Sequence, residues 1–363
     1  MTPRERFNAT MAWQPVDRPM YVPYMGASEP AQRRWVAEGL GDRHWSEPFG
    51  FDLIPAHVNQ FTFVPVKHFT WPPFAEEVLS EEDGIRLVRD ERGVTKYTKV
   101  DCDDMTHYVA YPITDRASWE RYKERLDPAT PGRLPADFDA LAAGYRDRDY
   151  VLGIGGTPMG LFSGIREILG AEPTLIATAL EPEWVREMAE HLADFWLGLF
   201  SQVLAKVQPD FLFLWELICT NKGPMISPRS FRELFLPAYQ RLIGGLKERG
   251  VENVWFDCQG NNYEMLPLFI EAGGTGTLPL EVRSGMDVVE VRRRFPRLQL
   301  IGGIERAALA RGPEAIDREL ARIAPLIFSG GYIPSVDHYL SSDISWDNVC
   351  YFFEGLRRIV FGG

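Results

Sequence analysis

From residue 150 onward, short apolar runs alternate with longer segments whose apolar positions recur at helical spacing. The runs begin near residues 150, 211, 253, 277, 298 and 331, and each is mostly apolar. A strand buried on both faces, as in a parallel sheet, reads this way. Between the runs, residues 183–207 carry Val185, Met188, Leu192, Phe195, Leu199 and Val203 on one face, which predicts a long amphipathic helix. Ser227-Pro228 supplies an N-cap and a first-turn proline for the next helix, which stops at Gly250. Further helices are predicted from near Tyr263 to Ala272, over 287–295, over 313–328 and from about Trp346 to Val360. Ahead of this region, residues 20–25 and 52–56 are strand candidates, and a short helix runs from Pro3 to about Met11.

Strict alternation of strand and helix predicts a parallel α/β sheet. Eight strand candidates predict its closure into a single (β/α)8 barrel of the TIM type, with an open doubly wound sheet as the alternative. Residues 75–110 break the rhythm. Segments 77–80, 85–89 and 94–100 are strand-like, and Glu91-Arg92-Gly93 offers a turn, so an antiparallel insertion is predicted there. Residues 117–150 read as polar and helical. No repeat or low-complexity linker divides the chain, and residues 1–363 read as one barrel domain.

Several of the predicted strands run straight into an acid or a histidine: Glu216, Asp257, Glu281, and Asp337-His338. Charged groups at the C-terminal ends of barrel strands are where such a fold keeps its chemistry. The bland alternative is a chain turning polar as it leaves the core. Four such groups at one end of one sheet favour a site, with Glu216, Asp257, Glu281 and His338 as its catalytic candidates. Tyr24, His57, Asn59, Trp215, Gln259 and Asn261 fall at the same strand ends and are candidate substrate contacts. Three acids in one cavity cannot all ionise cheaply, so they call for a metal ion, a cationic ligand or a shared proton. Glu216, Asp257 and His338 would make an oxygen-rich metal site with one nitrogen, zinc being one divalent candidate. The turn Asp257-Cys258-Gln259-Gly260-Asn261 admits either a ligand-holding role or an ordinary Asx turn.

Composition narrows the classes. A net charge of -12 argues against broad binding to nucleic acid or anionic membranes. No apolar run is long enough to span a bilayer, and the first residues lack the apolar core of a signal peptide, so the expected compartment is the cytoplasm. The four cysteines, Cys102, Cys219, Cys258 and Cys350, are far apart and form no CxxC pair, which reads as reduced thiols.

Taken together, Asp257-Cys258-Gln259-Gly260-Asn261, Pro279-Leu280-Glu281, Gly285-Met286-Asp287, Ile301-Gly302-Gly303-Ile304-Glu305 and the stretch from Gly330 to His338 resemble the uroporphyrinogen decarboxylase superfamily over nearly the whole chain. The resemblance implies a (β/α)8 barrel with its site at the C-terminal rim, often in a homodimer. It implies one of two chemistries. The true decarboxylase acts without a cofactor on a tetrapyrrole, using arginines in an Arg-Gln-Ala-Gly-Arg motif and an aspartate after the second strand. Here those places read Met25-Gly26-Ala27-Ser28-Glu29 and Pro55-Ala56-His57-Val58-Asn59, without the arginines or the acid. The other branch moves methyl groups between a corrinoid cofactor and a small acceptor. Its thiol-methylating members hold zinc on a His-x-Cys-Gly motif, which here reads Asp257-Cys258-Gln259-Gly260. The expectation is therefore a divergent member nearer the methyltransferase branch, demethylating a small substrate onto a corrinoid carried by a partner protein. A lyase acting on a carboxylate, with His57 or His338 as proton donor, is the alternative.

Overall fold

Strands with apolar residues on both faces need cover on both, and the fold supplies it with helices outside and a plug of side chains inside. The computed structural model describes residues 1–52, 62–99 and 102–362. In chain order, β1 (Thr62–Phe63) opens the main sheet. An antiparallel arm follows, made of β2 (Glu77–Glu82), β3 (Ile85–Arg89), β4 (Thr95–Lys99) and β5 (Cys102–Ala110). β6 (Leu152–Gly155) and β7 (Phe211–Trp215) rejoin the main sheet, and β8 (Cys219–Thr220) with β9 (Gly223–Pro224) forms a small hairpin above β7. Then come β10 (Val254–Asp257), β11 (Gly276–Leu278), β12 (Gln299–Ile304) and β13 (Tyr332–Val336). The main sheet runs β1-β6-β7-β10-β11-β12-β13, and every pairing in it is parallel.

Alternate residues of these strands separate into two cores. Phe211, Phe213, Trp255, Leu278, Ile301 and Ile333 meet on the inner face of the curled sheet. Leu212, Leu214, Val254, Phe256, Leu300 and Tyr332 face the helices. The predicted long helix is Pro182–Leu204, and it buries the apolar stripe read from the sequence. Ser227 caps the next helix as expected, its Oγ accepting the Ser230 N–H at 3.0 Å.

The helix Pro3–Met11 closes the N-terminal ends of the strands. A capping box of Thr2 and Glu5 starts it, and Phe7 and Met11 enter the inner core. Phe7 meets Trp255 edge-on at 5.5 Å, and Trp255 stacks on Phe211 at 4.6 Å. The Gly331 N–H donates to the Thr10 carbonyl at 2.7 Å, and Gln299 Nε2 donates to the Met11 carbonyl at 3.1 Å. With that end plugged, the C-terminal ends of the strands are left to carry a site.

Seven strands form ladders among the described residues, against the eight expected. Residues 20–25 carry no ladder among the described residues. Their Tyr24 N–H donates to Ser335 Oγ at 2.8 Å, and beyond them Ala27 makes a single parallel bridge to Leu340. The expected strand at 52–56 falls largely on 53–61, outside the described residues. β1 is a strand the apolar pattern does not predict. The arm has four strands rather than three, because β5 is too polar to read as a strand on its own. Residues 117–150 form two short helices, Arg116–Lys123 and Phe138–Gly144, separated by a proline-rich stretch.

Candidate active site

Glu216 and Asp257 follow or end neighbouring strands, and the Glu216 N–H donates to the Asp257 carbonyl at 2.8 Å. Their side chains go to opposite faces. Along β7, Leu212 and Leu214 face the helices, and Glu216 continues that phase. Its carboxylate accepts from the Phe162 N–H at 3.3 Å, the Ser163 N–H at 2.9 Å, Ser163 Oγ at 3.1 Å and the Tyr239 hydroxyl. The first two belong to the opening turn of the helix Leu161–Leu169, so Glu216 serves as that helix's built-in anion. Gly160 makes the approach possible. A Cβ there would stand 2.1 Å from the Trp215 carbonyl oxygen and 3.0 Å from Glu216 Oε2. Full burial pushes Glu216 up to about 7 against those four donors. The expectation that Glu216 joins a rim cluster is corrected by this geometry: strand alternation turns it away, and its oxygens are already engaged.

Asp257 shares the inward phase of Trp255. It is buried, accepts a hydrogen bond from the Tyr24 hydroxyl, and keeps Oδ1 without a partner among the described residues. Burial pushes it up to about 7, the charge of Glu281 pushes the same way, and the Tyr24 bond opposes both. The tyrosine is raised well above its usual value, by burial first and the adjacent carboxylate second, and stays a donor. A buried acid with an oxygen unpartnered among the described residues, at the inner end of a strand, is poised to give or take a proton near neutrality.

Glu281 is delivered by strained backbone. Leu280 holds φ at 62°, a left-handed conformation that costs a leucine about 1–2 kcal/mol. Glu281 Oε2 then accepts the Gly260 N–H at 2.8 Å and Ser284 Oγ at 3.0 Å, fastening the turn after Asp257. Within that turn, Asn262 Nδ2 donates to the Cys258 carbonyl at 2.8 Å and the Asn261 N–H to the Thr220 carbonyl at 2.8 Å. Asn261 Oδ1 faces the Tyr263 N–H at 3.4 Å, so Asn261 helps shape the turn, and Gln259 is half-buried beside it. Trp215 is half-buried against the inner core. Cys258 lies on the helix-facing side and is fully buried, and its thiol is raised well above its usual value.

A second part of the rim lies over β11, β12 and β13. A cavity of about 510 Å³ opens there, lined by Glu281, Arg283, Arg306, Asp337, His338 and Tyr339 among others. Asp337, pushed up to about 6 by burial, is spent on structure: Oδ2 accepts the Val282 N–H and Oδ1 the Arg306 N–H, each at 2.9 Å. His338 lines the cavity, and its ring meets that of the adjacent Tyr339 edge-on at 4.4 Å. Asp257 and Glu216 are absent from the lining. Among the described residues, no three His, Cys, Asp or Glu side chains group so as to hold a metal ion. The set Glu216, Asp257 and His338 therefore does not fit a metal. His57 and Asn59 lie outside the described residues. Arg283 and Arg306 belong to the rim as well, although no motif in the sequence marks them. Their only signal is position, just after the ends of β11 and β12.

A curled parallel sheet with acids and arginines at its C-terminal ends defines the class, an α/β fold with an enzyme-like rim. Within that class, residues 99–359 match the family described as uroporphyrinogen decarboxylase (URO-D), and the chain belongs to that family. A uroporphyrinogen decarboxylase from Rhodococcus erythropolis is 27% identical over 210 residues, which cover 54% of this chain and 55% of that protein. The chain thus spans about half the length of that curated relative. A methyltransferase from Methanosarcina mazei shares the fold, with a TM-score of 0.56 and 13% identity over 99% of both chains. Among the described residues, no helix is long and apolar enough to cross a membrane.

Proposed function

We propose that this protein removes a methyl group from a small methyl ether or methylamine and passes it to a corrinoid carried on a partner protein. The site would be the C-terminal rim of a (β/α)8 barrel to which residues 20–25 contribute the missing strand position. The observation that carries the reading is Asp257, a buried acid held near neutrality with one oxygen unpartnered among the described residues. Breaking a methyl–oxygen or methyl–nitrogen bond leaves an electron pair on the heteroatom, and that pair needs a proton. Asp257 in its acid form gives its proton to the leaving heteroatom and becomes the carboxylate, which the Tyr24 hydroxyl then stabilises. Glu281 keeps the Asp257 turn in place through Gly260. His338 lines the adjoining cavity, where it meets the substrate. The corrinoid, when its partner presents it, supplies the nucleophile that accepts the methyl group. Family membership and the methyltransferase fold support this reading.

The test is to mix the protein with reduced cobalamin and a panel of methyl ethers and methylamines, and to follow the absorbance of the cobalamin. A change with at least one substrate, lost in Asp257→Asn, is expected. No change with any substrate, and no perturbation of the cobalamin by the protein, would sink the reading. A cofactor-free lyase acting on a small carboxylate is the second reading, favoured by Arg283 and Arg306 beside His338. Carbon dioxide release that disappears in His338→Ala would move it ahead.

A further inference from the structure

The cavity over β11, β12 and β13 holds two guanidinium groups and two carboxylates, yet they do not pair with one another. Glu281 Oε2 is engaged by Gly260 and Ser284, and both oxygens of Asp337 by backbone N–H groups. Nearby acids go elsewhere, Glu305 to Arg311 at 2.5 Å and Asp287 to Arg322 at 2.8 Å. Among the described residues, neither Arg283 nor Arg306 forms an ion pair; the Arg306 guanidinium lies 5.8 Å from the Tyr339 ring centroid, and its Nη1 is 3.5 Å from the Tyr339 carbonyl. That contact is at the outer limit of a hydrogen bond. The two arginines come from different loops, the turn Val282–Ser284 after β11 and the start of the helix Arg306–Ala310 after β12. Two separate loops therefore turn cationic groups toward one cavity of about 510 Å³, a volume suited to a small molecule.

Planar guanidinium groups recognise planar oxyanions with two parallel hydrogen bonds. Two such groups set against Glu281 and Asp337 leave the cavity close to neutral, which suits one negative charge and disfavours a polyanion. We infer that Arg283 and Arg306 form a carboxylate subsite, so that the substrate is a small monocarboxylate carrying its reactive group elsewhere. The inference takes the rim as the substrate site, as the proposed function does, but its test does not depend on methyl transfer.

The probes are benzoate, which carries the anion and no methyl group, and benzamide, its neutral counterpart of nearly equal shape. Both are titrated calorimetrically into the full chain and into R283Q and R306Q, with melting temperatures recorded for each protein. Benzoate is expected to bind the wild type at least about tenfold more tightly than benzamide. Each variant should lose about tenfold or more for benzoate, with its benzamide affinity and melting temperature unchanged. Equal binding of the two probes, no benzoate binding at 10 mM (about the millimolar range of a weak fragment), or full benzoate affinity in both variants would overturn the subsite. The cobalamin assay can fail while the benzoate pattern holds, and the reverse, so the two readings fall separately.

Discussion

Glu216 and Asp257 sit one step apart on neighbouring strands, are both buried, and are both pushed up to about 7. Their surroundings differ in one respect that decides their roles. The region around Glu216 is saturated, with a helix N-terminus, a serine and a tyrosine occupying its oxygens. The region around Asp257 offers one tyrosine and, among the described residues, leaves Oδ1 open. A raised acid is thus no guide to function by itself. What separates a structural acid from a chemical one is unspent hydrogen-bonding capacity facing the inside of the sheet.

The largest expected effect separates the two acids directly. Asp257→Asn should lower kcat by about 100-fold or more, the usual contribution of a general acid, with the fold intact by circular dichroism. Glu216→Ala should do the reverse. It strips the partners from the Phe162 and Ser163 N–H groups and from Tyr239, costing roughly 3 kcal/mol in denaturant unfolding, while the folded fraction keeps its turnover. A hundredfold loss of turnover in a stable Glu216→Ala protein would erase the distinction.

Gly160→Ala should destabilise by about 1–3 kcal/mol, since the new methyl collides with the Trp215 carbonyl. Its melting temperature, compared with that of Glu216→Ala, tests whether the helix and the acid act as one unit. The pH profile is finer. Donation needs the acid form, so kcat should fall as pH rises through about 7, and Asp257→Asn should abolish that limb. The same group is raised from its ordinary 3.8, so the folded state holds its proton more tightly than the unfolded chain. Its contribution to stability is therefore fully present below about 4 and is lost as pH rises toward 7, a slope that Asp257→Asn should remove from urea titrations. The smallest effect is Tyr24→Phe. Losing the bond that favours the carboxylate should move the kinetic midpoint upward, and an unmoved midpoint would detach Tyr24 from Asp257.

Much of this was legible in the chain. Mostly apolar runs predict a parallel sheet, and Asp257, Glu281 and Asp337 near their ends mark the rim. The phase of each strand was not legible. When both faces of a strand are buried, Leu214 and Phe213 look alike, and nothing in the order of residues says that Glu216 follows the outer set and Asp257 the inner. The metal set joined residues that strand phase keeps apart. Arg283 and Arg306 carry no signal in the sequence because one lies within a short turn and the other opens a helix, where a charged residue is ordinary. β5 escaped because Cys102–Ala110 gains its strand character only by pairing with β4.

The helix Pro3–Met11 has a consequence for biosynthesis. Its Met11 carbonyl waits for Gln299, 288 residues further along the chain. At the ordinary pace of translation that is roughly 15 to 60 seconds. During that interval the inner core that Phe7 and Met11 enter is incomplete, and the capping box of Thr2 and Glu5 is a local device that can hold the segment in shape. Weakening that cap should therefore show itself in the yield of newly made protein before it shows in the melting of the finished one.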